Sequence, residues 1–471
     1  MKTDRPLIDF YEKDAPSHAA YDNLRKLASF VDGLKLSQRK VVYTMLKKFP
    51  SANDEIKTSR LASSIAEETE YLHGEGSLCT VLDTMAAPYV GANNYPLIKG
   101  SGNFGSRFSG PGSAAAPRYT YCSVSPLVNA LIPDVSRKLC PSQSFEGRPI
   151  EPEFYVPIFP ILFLNGTDGL SSGWKTAIYP RNPKDIAAYI EAVLEEKKGG
   201  KPVSDKRKSV IEKSLPWFRG FAGDTLLETD SDGNPVVVNR GAIKRLHTTL
   251  LEITEIPITY NYASYIKVLD KLEEKEPLFT GYDDECDPKT DTFKFKIHVK
   301  RDFWNTYPDE ASWLKLFGLQ KNLNEQFNCE GPGGKVWEFS NVRQILDAYI
   351  EVRLDYYSKQ KDYLVNDLTE QLRKDISKYV FVQGVVDGKI VIGNKKVAEI
   401  EAVLDKTPRI MRVDGSYNYL LALPMRSMTE ETLEKLKTEM FALKADLDKV
   451  KAATPEDLWL EDLKGFKKLL D

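Results

Sequence analysis

An arginine stands beside a tyrosine at Arg118-Tyr119, near the end of the segment Ser113-Ala-Ala-Ala-Pro-Arg-Tyr-Thr120. A tyrosine with its ordinary pKa of about 10 is a weak nucleophile at neutral pH. A neighbouring guanidinium supplies what it lacks, because it can hold a phosphate oxygen and offset negative charge as that charge develops. The pair is a candidate for chemistry at a phosphate, with Tyr119 as nucleophile and Arg118 as charge stabiliser. By itself Arg-Tyr is a common dipeptide, and a packed tyrosine beside a surface arginine is the commoner reading. Three upstream segments alter that weighting: Gly100-Ser-Gly-Asn-Phe-Gly-Ser106, Tyr71-Leu-His-Gly-Glu-Gly76, and Asp32-Gly-Leu-Lys35 followed by Gln38-Arg-Lys40. His73 is one of only four histidines in the chain. Tyr121 is the rival nucleophile, since two residues along a strand it would point to the same side as Tyr119. Tyr119 is preferred because it directly follows Arg118.

The surrounding pattern predicts what positions these residues. Val41, Val42, Met45, Leu46 and Phe49 recur at helical spacing over residues 37–49, with Ser37 as the expected N-cap. A second helix follows Thr58 or Ser59, with Leu61, Ala62, Ile65 and Ala66 inward. A third starts near Ser77 and ends before Pro88. Three short helices with tight connections read as a helix-turn-helix, a fold that presents one helix to a DNA groove. Residues 89–125 are rich in Gly, Ser and Asn and read as a long functional loop. Upstream, residues 1 to about 24 form an N-terminal arm, with a helix expected from Asp14 to Leu27.

Downstream, residues from about Pro149 to Lys335 read as β-rich with interleaved helices. Val236–Asn239, His247–Thr254 and Phe293–Val299 are expected strands, the last alternating over Phe293, Phe295, Ile297 and Val299. The apolar run Phe154–Leu164 lies in the same region. From Asn341 the pattern predicts a helix reaching about Tyr379, then an insert over 380–426. A return helix is expected at the capping box Ser427-x-x-Glu430. Its Leu433, Leu436, Met440, Leu443, Leu447 and Val450 form a heptad seam. Together these segments predict an antiparallel coiled coil with a knob at its tip. Pro455 is expected at the first position of a last short helix.

The net charge of the 471-residue chain is −3, which excludes a uniformly basic surface. Basic charge is concentrated instead: Arg25, Lys26, Lys35, Arg39, Lys40, Lys47, Lys48, Lys57 and Arg60 face only Asp32, Asp54 and Glu55 within the same stretch. A local basic patch fits a phosphate-binding face with salt-sensitive affinity. The five cysteines show no Cys-x-x-Cys pair and read as free thiols in a reducing compartment. No apolar run is long enough for a bilayer, and the polar N-terminus lacks a signal-peptide core.

The order and spacing of the three upstream segments and the Arg118-Tyr119 segment resemble the DNA breakage-reunion subunit of type IIA topoisomerases, the gyrase A-like family. The resemblance runs from about Tyr21 to the C-terminus and is most specific in the first 180 residues. Within the family the chain looks most like the medium subunit of T-even bacteriophages, being short and beginning almost at the DNA-binding domain. The resemblance implies an α+β multidomain protein: an N-terminal arm (1–24), a winged-helix domain with the nucleophile (25–148), a β-rich tower domain (149–335), and a coiled-coil stalk with a dimerisation gate (336–471). It implies that Tyr119 forms a 5′-phosphotyrosyl link, that Arg118 contacts the scissile phosphate, and that His73 bonds the phosphate region. Arg25, Lys35, Arg39 and Lys40 match basic positions near the DNA backbone. Leu170, in Asn165-Gly-Thr-Asp-Gly-Leu-Ser-Ser-Gly173, matches a residue that wedges between base pairs. The chain departs from the family at Tyr71, where a second histidine is usual, and at Leu36, where a proline is.

Gly173-Trp-Lys-Thr176 lacks the spacing of a phosphate loop. Asp230-Ser-Asp-Gly-Asn234 lacks the later ligands of a calcium loop and reads as a hairpin turn. With neither an ATP motif nor an acidic cluster in the sequence, the resemblance assigns Mg2+ and ATP to a partner large subunit. The expected partners are duplex DNA, a second copy of the chain and that large subunit, without a membrane. The expected location is the cytoplasm of a bacterial or phage-infected cell. Two rival readings are a non-catalytic winged-helix DNA-binding protein and a gyrase or decatenase A subunit without its C-terminal wrapping domain.

Overall fold

The computed structural model describes residues 7–230 and 232–470, so the first six residues of the expected arm lie outside it. The chain divides into two compact units: residues 1–353 with 462–471, and Leu354–Glu461. No helix among the described residues is long and apolar enough to cross a membrane.

After a helical turn at Leu7–Asp9 and a π-helical segment at Phe10–Asp14, the first unit has four helices: α1 (Ala15–Lys26), α2 (Leu36–Lys48), α3 (Thr58–Thr69) and α4 (Glu75–Ala86). Val41, Val42, Met45 and Leu46 of α2 are buried with Leu61, Ala62 and Ile65 of α3 and Leu78, Leu82 and Met85 of α4. The apolar spacing thus marked the right faces, but two starts move. Helix α2 begins one residue before Ser37, because the Gln38 side chain accepts the Lys35 N–H at 2.9 Å and closes the turn there. Helix α4 begins at Glu75, two residues before Ser77. Gly74, at φ +82°, supplies the left-handed turn that starts it.

Three short strands complete this region: β1 (Ile56–Lys57), β2 (Ile98–Ser101) and β3 (Tyr121–Val124), antiparallel in the order β1-β3-β2. Two of them lie in the stretch that reads as loop. Gly100 breaks the apolar pattern of β2, yet it is required there. A Cβ on it would lie 2.4 Å from the Phe104 ring. The run Phe154–Leu164 is buried but irregular, ending in a helical turn at Ile161–Asn165. Pro157 and Pro160 lack the N–H groups that a strand ladder needs. This run forms the wall against which Gly33 packs: at φ +69°, a Cβ on Gly33 would lie 2.3 Å from the Leu162 nitrogen.

A hairpin follows, β4 (Thr167–Ser171) and β5 (Trp174–Ile178), with Leu170 opposite Lys175. Beyond it come β6 (Asp224–Thr229), β7 (Pro235–Arg240), β8 (Ala242–His247), β9 (Leu250–Glu255), β10 (Phe279–Asp284), β11 (Phe295–Val299) and β12 (Gln320–Leu323). They form a four-stranded sheet, β8-β9-β11-β10, and a three-stranded one, β12-β7-β6. Phe295, Ile297 and Val299 point inward in the expected alternation, against Tyr265 and Leu269 of helix α5 (Tyr262–Lys275). The stretch expected as one strand over His247–Thr254 is instead a hairpin that turns at Thr248-Thr249. Asp230 closes the β6–β7 turn by accepting the Asp232 and Asn234 N–H groups at 2.9 and 2.8 Å. Strands β13 (Phe327–Gly331) and β14 (Lys335–Phe339) pair with each other, and Glu330 of β13 also pairs with the segment before Gly33.

Helix α6 (Val342–Val386) outruns the sequence expectation by seven residues, and the return helix is α7 (Glu430–Ala452). The capping residue of α7 is Thr429, whose hydroxyl accepts the Thr432 N–H at 3.3 Å, and not Ser427. Ser427 lies in the 3-10 turn before it. The six predicted seam positions of α7 are buried or half-buried, and apart from Thr432 its other positions are exposed. In the second unit Phe381, Val382, Ile390, Ile400, Leu404, Tyr417 and Leu420 form a separate core.

Candidate active site

Tyr119 lies in a turn, not on a strand. Its N–H donates to the Ala116 carbonyl at 2.8 Å, and β3 begins only at Tyr121. The strand-spacing argument that put Tyr119 and Tyr121 on one side therefore does not apply. The first N–H groups of a helix have no partner within it. Here they hold the turn: Thr58 N–H donates to the Thr120 carbonyl at 3.0 Å and Ser59 N–H to the Pro117 carbonyl at 3.2 Å. The buried hydroxyls of Thr58 and Thr120 join at 2.7 Å. Gly102, at φ +106°, passes so near that a Cβ on it would lie 3.5 Å from the Tyr119 carbonyl. Asn103 ties the same loop back to Ala115, whose N–H donates to its carbonyl at 2.9 Å. The glycine-rich loop thus shapes the turn. From this fixed backbone Tyr119 projects 67% exposed, with the Arg118 guanidinium carbon 4.9 Å from its ring centroid. Tyr121 lies lower, opposite Lys57 of β1, whose ammonium is 6.0 Å from its ring centroid.

His73 precedes α4 in a second cluster. Its Nε2 is 2.6 Å from the Tyr21 hydroxyl, the Tyr71 ring stands edge-on at 5.5 Å, and Arg25 lies 5.9 Å from the Tyr21 ring centroid. Desolvation, with the positive charges of Arg25 and Lys40, holds His73 below the ordinary imidazole range, so the ring is neutral at pH 7. No hydrogen bond or ion pair among the described residues joins Arg118 or Tyr119 to His73 or Arg25. The fold brings each pair together separately.

The four predicted basic contacts divide in two. Arg25 and Lys35 make no ion pair among the described residues. Arg39 is buried, with Nε 2.6 Å from Asp32 Oδ2 and Nη2 3.2 Å from Oδ1. Lys40 is buried too, 2.7 Å from Glu151 and 2.8 Å from the Thr69 carbonyl. As placed, Arg39 and Lys40 face carboxylates and not solvent. Glu330 closes the group, its Oε2 3.9 Å from Arg39 Nη2 and without a hydrogen bond.

Burial pushes the Glu330 carboxyl up to about 8, against the pull of Arg39. An acid raised in this way holds its proton in the folded chain after the unfolded chain, near the ordinary 4.5, has released it. Stability therefore falls as pH rises between those two values. Glu330→Gln is expected to flatten that fall. Urea midpoints from about pH 5 to about pH 9 check this, and parallel slopes for the two proteins would contradict it.

Leu170 is 73% exposed near the tip of the β4–β5 hairpin. The hairpin is fastened to α1. Asp22 accepts both the N–H and the hydroxyl of Ser172 at 2.9 Å, and a Cβ on Gly169 would lie 2.3 Å from the Lys26 carbonyl. Helix α1 therefore holds Tyr21 and Arg25 against His73 on one side and carries the Leu170 hairpin on the other. Tyr21 and Asp22 escaped the sequence reading. Their only local signal is the i, i+4 spacing of Tyr21 with Arg25 and of Asp22 with Lys26, which many surface helices share. Among the described residues, no three His, Cys, Asp or Glu side chains come together so as to hold a metal ion.

The chain is 29% identical to the mitochondrial DNA topoisomerase 2 of Dictyostelium discoideum over 98% of its length and 35% of that protein. It is 31% identical to DNA topoisomerase 2-alpha of Gallus gallus over 98% of its length and 30% of that protein. The chain thus spans about a third of the length of these curated relatives. A crystal structure of the Plasmodium falciparum topoisomerase II DNA-binding, cleavage and re-ligation domain superposes with a TM-score of 0.84 at 26% identity, covering 98% of this chain and 64% of that one. Residues 25–464 match the family of the DNA gyrase/topoisomerase IV A subunit, and the chain belongs to that family.

Proposed function

We propose that this chain is the DNA-cleaving and religating component of an ATP-dependent type IIA topoisomerase. The observation that carries the reading is the exposed Tyr119 beside Arg118, on a turn fastened to the start of α3. The Tyr119 oxygen attacks a DNA phosphorus and loses its proton. The bond from phosphorus to the 3′ oxygen breaks, and that oxygen takes up a proton to become a free 3′-hydroxyl. The 5′ phosphate is left esterified to Tyr119. One phosphodiester has replaced another, so the 3′-hydroxyl can reverse the step without an external energy source. Arg118 stabilises the charge on the non-bridging oxygens. His73, neutral, donates a hydrogen bond near the phosphate.

Arg25 and Lys35 contact the DNA backbone in this reading. Arg39 and Lys40, held by Asp32 and Glu151, shape the protein beneath it. Leu170 enters a base step from the hairpin that α1 supports. The three helices with the β1-β3-β2 sheet act as a winged-helix domain within residues 25–148, after an arm at 1–24. Residues 149–335 act as the tower domain, and 336–471 as the stalk and dimerisation gate, with α7 as one strand of the coiled coil. Two copies each cut one strand, a second duplex passes, and the ends are resealed, giving relaxation and decatenation. A partner large subunit carries ATP and Mg2+, the latter supplying Lewis-acid stabilisation of phosphate oxygens. The assembly works in the cytoplasm of a bacterial or phage-infected cell. Similarity to the T-even phage medium subunit belongs to the same proposal, whereas the relatives compared above are eukaryotic DNA topoisomerase 2 proteins.

The test is supercoiled plasmid mixed with this chain, Mg2+ and a candidate large subunit, then quenched with denaturant. Linear DNA whose 5′ ends are blocked by protein and whose 3′ ends are open is the expected product. A retarded but uncut plasmid, with a large subunit known to be active, would favour the non-catalytic winged-helix reading.

A further inference from the structure

The role just given to His73 uses one ring nitrogen and leaves the other without a purpose. That other nitrogen is occupied. The Tyr21 hydroxyl, 52 positions away in sequence, lies 2.6 Å from His73 Nε2, with the ring centroids 5.8 Å apart. Tyr71 packs against the same imidazole but sends its own hydroxyl to Ser77 at 3.1 Å. Tyr21 is therefore the side chain that hydrogen-bonds the ring. Its backbone is held from the far side by Asp22, which bonds Ser172 twice.

We propose that Tyr21 is a positioning residue that fixes the tautomer of His73: its hydroxyl donates to Nε2, the single ring proton sits on Nδ1, and Nδ1–H is the donor offered to the phosphate. The inference rests on the DNA-cleavage reading of the site. A neutral imidazole has one donor and one acceptor, and the partner of one nitrogen decides the state of the other. If Nε2 carried the proton, Nδ1 would turn a lone pair toward an anion that can only accept. The phenol would then hand its own hydrogen to solvent, since its hydroxyl has no second hydrogen bond among the described residues. Arg25, beside the Tyr21 ring, puts a positive charge that can draw a phosphate into the same cluster as His73.

The experiment uses the full chain labelled with 15N-histidine. With four histidines in the sequence, His73→Asn assigns the signal. Long-range proton–nitrogen spectra report the tautomer directly. The wild type is expected to show Nδ1–H at His73, and Tyr21→Phe, which keeps the ring and removes only the hydroxyl, to shift His73 toward Nε2–H. A wild type in the Nε2–H form, or a variant spectrum identical to wild type, overturns the proposal. With the large subunit present, Tyr21→Phe should form the covalent DNA complex about 3- to 10-fold more slowly, the loss of one net hydrogen bond, at unchanged DNA affinity. A changed tautomer with an unchanged rate overturns the positioning role. A wild type that forms no covalent complex sinks the proposed function and the catalytic half of this inference, while the spectrum still decides the tautomer.

Discussion

Arg39→Leu is expected to destabilise the first unit by about 3–5 kcal/mol, the usual cost of removing one partner of a buried ion pair. The reason lies in what the guanidinium leaves behind. Asp32 is fully buried and is bonded by Arg39 Nε, Arg39 Nη2, the Leu34 N–H at 2.9 Å and the Tyr155 N–H at 3.1 Å. Arg39 also donates to the Leu34 carbonyl at 3.2 Å. The pair thus closes the Asp32-Gly-Leu-Lys35 turn and fixes it to the Phe154–Leu164 wall. Leucine fills much of the space but leaves an anion with two amide donors in an apolar interior. Asp32→Asn in the same chain removes that anion, so the double variant should recover part of the loss, as coupled neighbours do. Arg39→Lys keeps the charge but not the paired donors, and should fall between. Urea midpoints of the four proteins at pH 7 check the order. An Arg39→Leu protein as stable as wild type but weaker on DNA would return Arg39 to the phosphate contact that the sequence resemblance implies.

That case marks where the sequence stopped being legible. The helical faces of α2, α3 and α4 followed from spacing, because burial of one face per helix repeats locally. The seam of α7 followed for the same reason. Arg39 and Lys40 look like phosphate ligands in one dimension, since a basic residue does not announce its partner. Their carboxylates, Asp32, Glu151 and Glu330, come from as far away as β13, and only the fold brings them together. The β2 and β3 strands were hidden by their length of four residues each and by Gly100, which is there for the Phe104 ring. Arg118 beside Tyr119 could be picked out as a candidate pair only together with the three upstream segments, since the dipeptide alone is common. What could not be read was the turn itself, because Thr58 and Ser59, which hold it, lie some sixty positions upstream.

Tyr119→Phe carries the largest expected effect. The substitution removes the one atom that can form the ester, and the rest of the site stays. The turn is held by backbone bonds to α3 and by Thr58 with Thr120, none of which involves the phenol oxygen. Thermal stability and DNA affinity should therefore match wild type, while covalent complex falls by on the order of 10^4-fold or more, as for loss of other enzymatic nucleophiles. Tyr121→Phe, on β3 beside Lys57, should leave cleavage within a few-fold of wild type, about the effect of a distant perturbation.

The most direct test is denaturant trapping of end-labelled DNA on wild type, Tyr119→Phe and Tyr121→Phe, each with Mg2+ and the active large subunit. The account predicts a protein–DNA adduct through the 5′ phosphate with wild type and Tyr121→Phe, and none with Tyr119→Phe. An adduct that survives in Tyr119→Phe and disappears in Tyr121→Phe would contradict it and move the nucleophile to the strand.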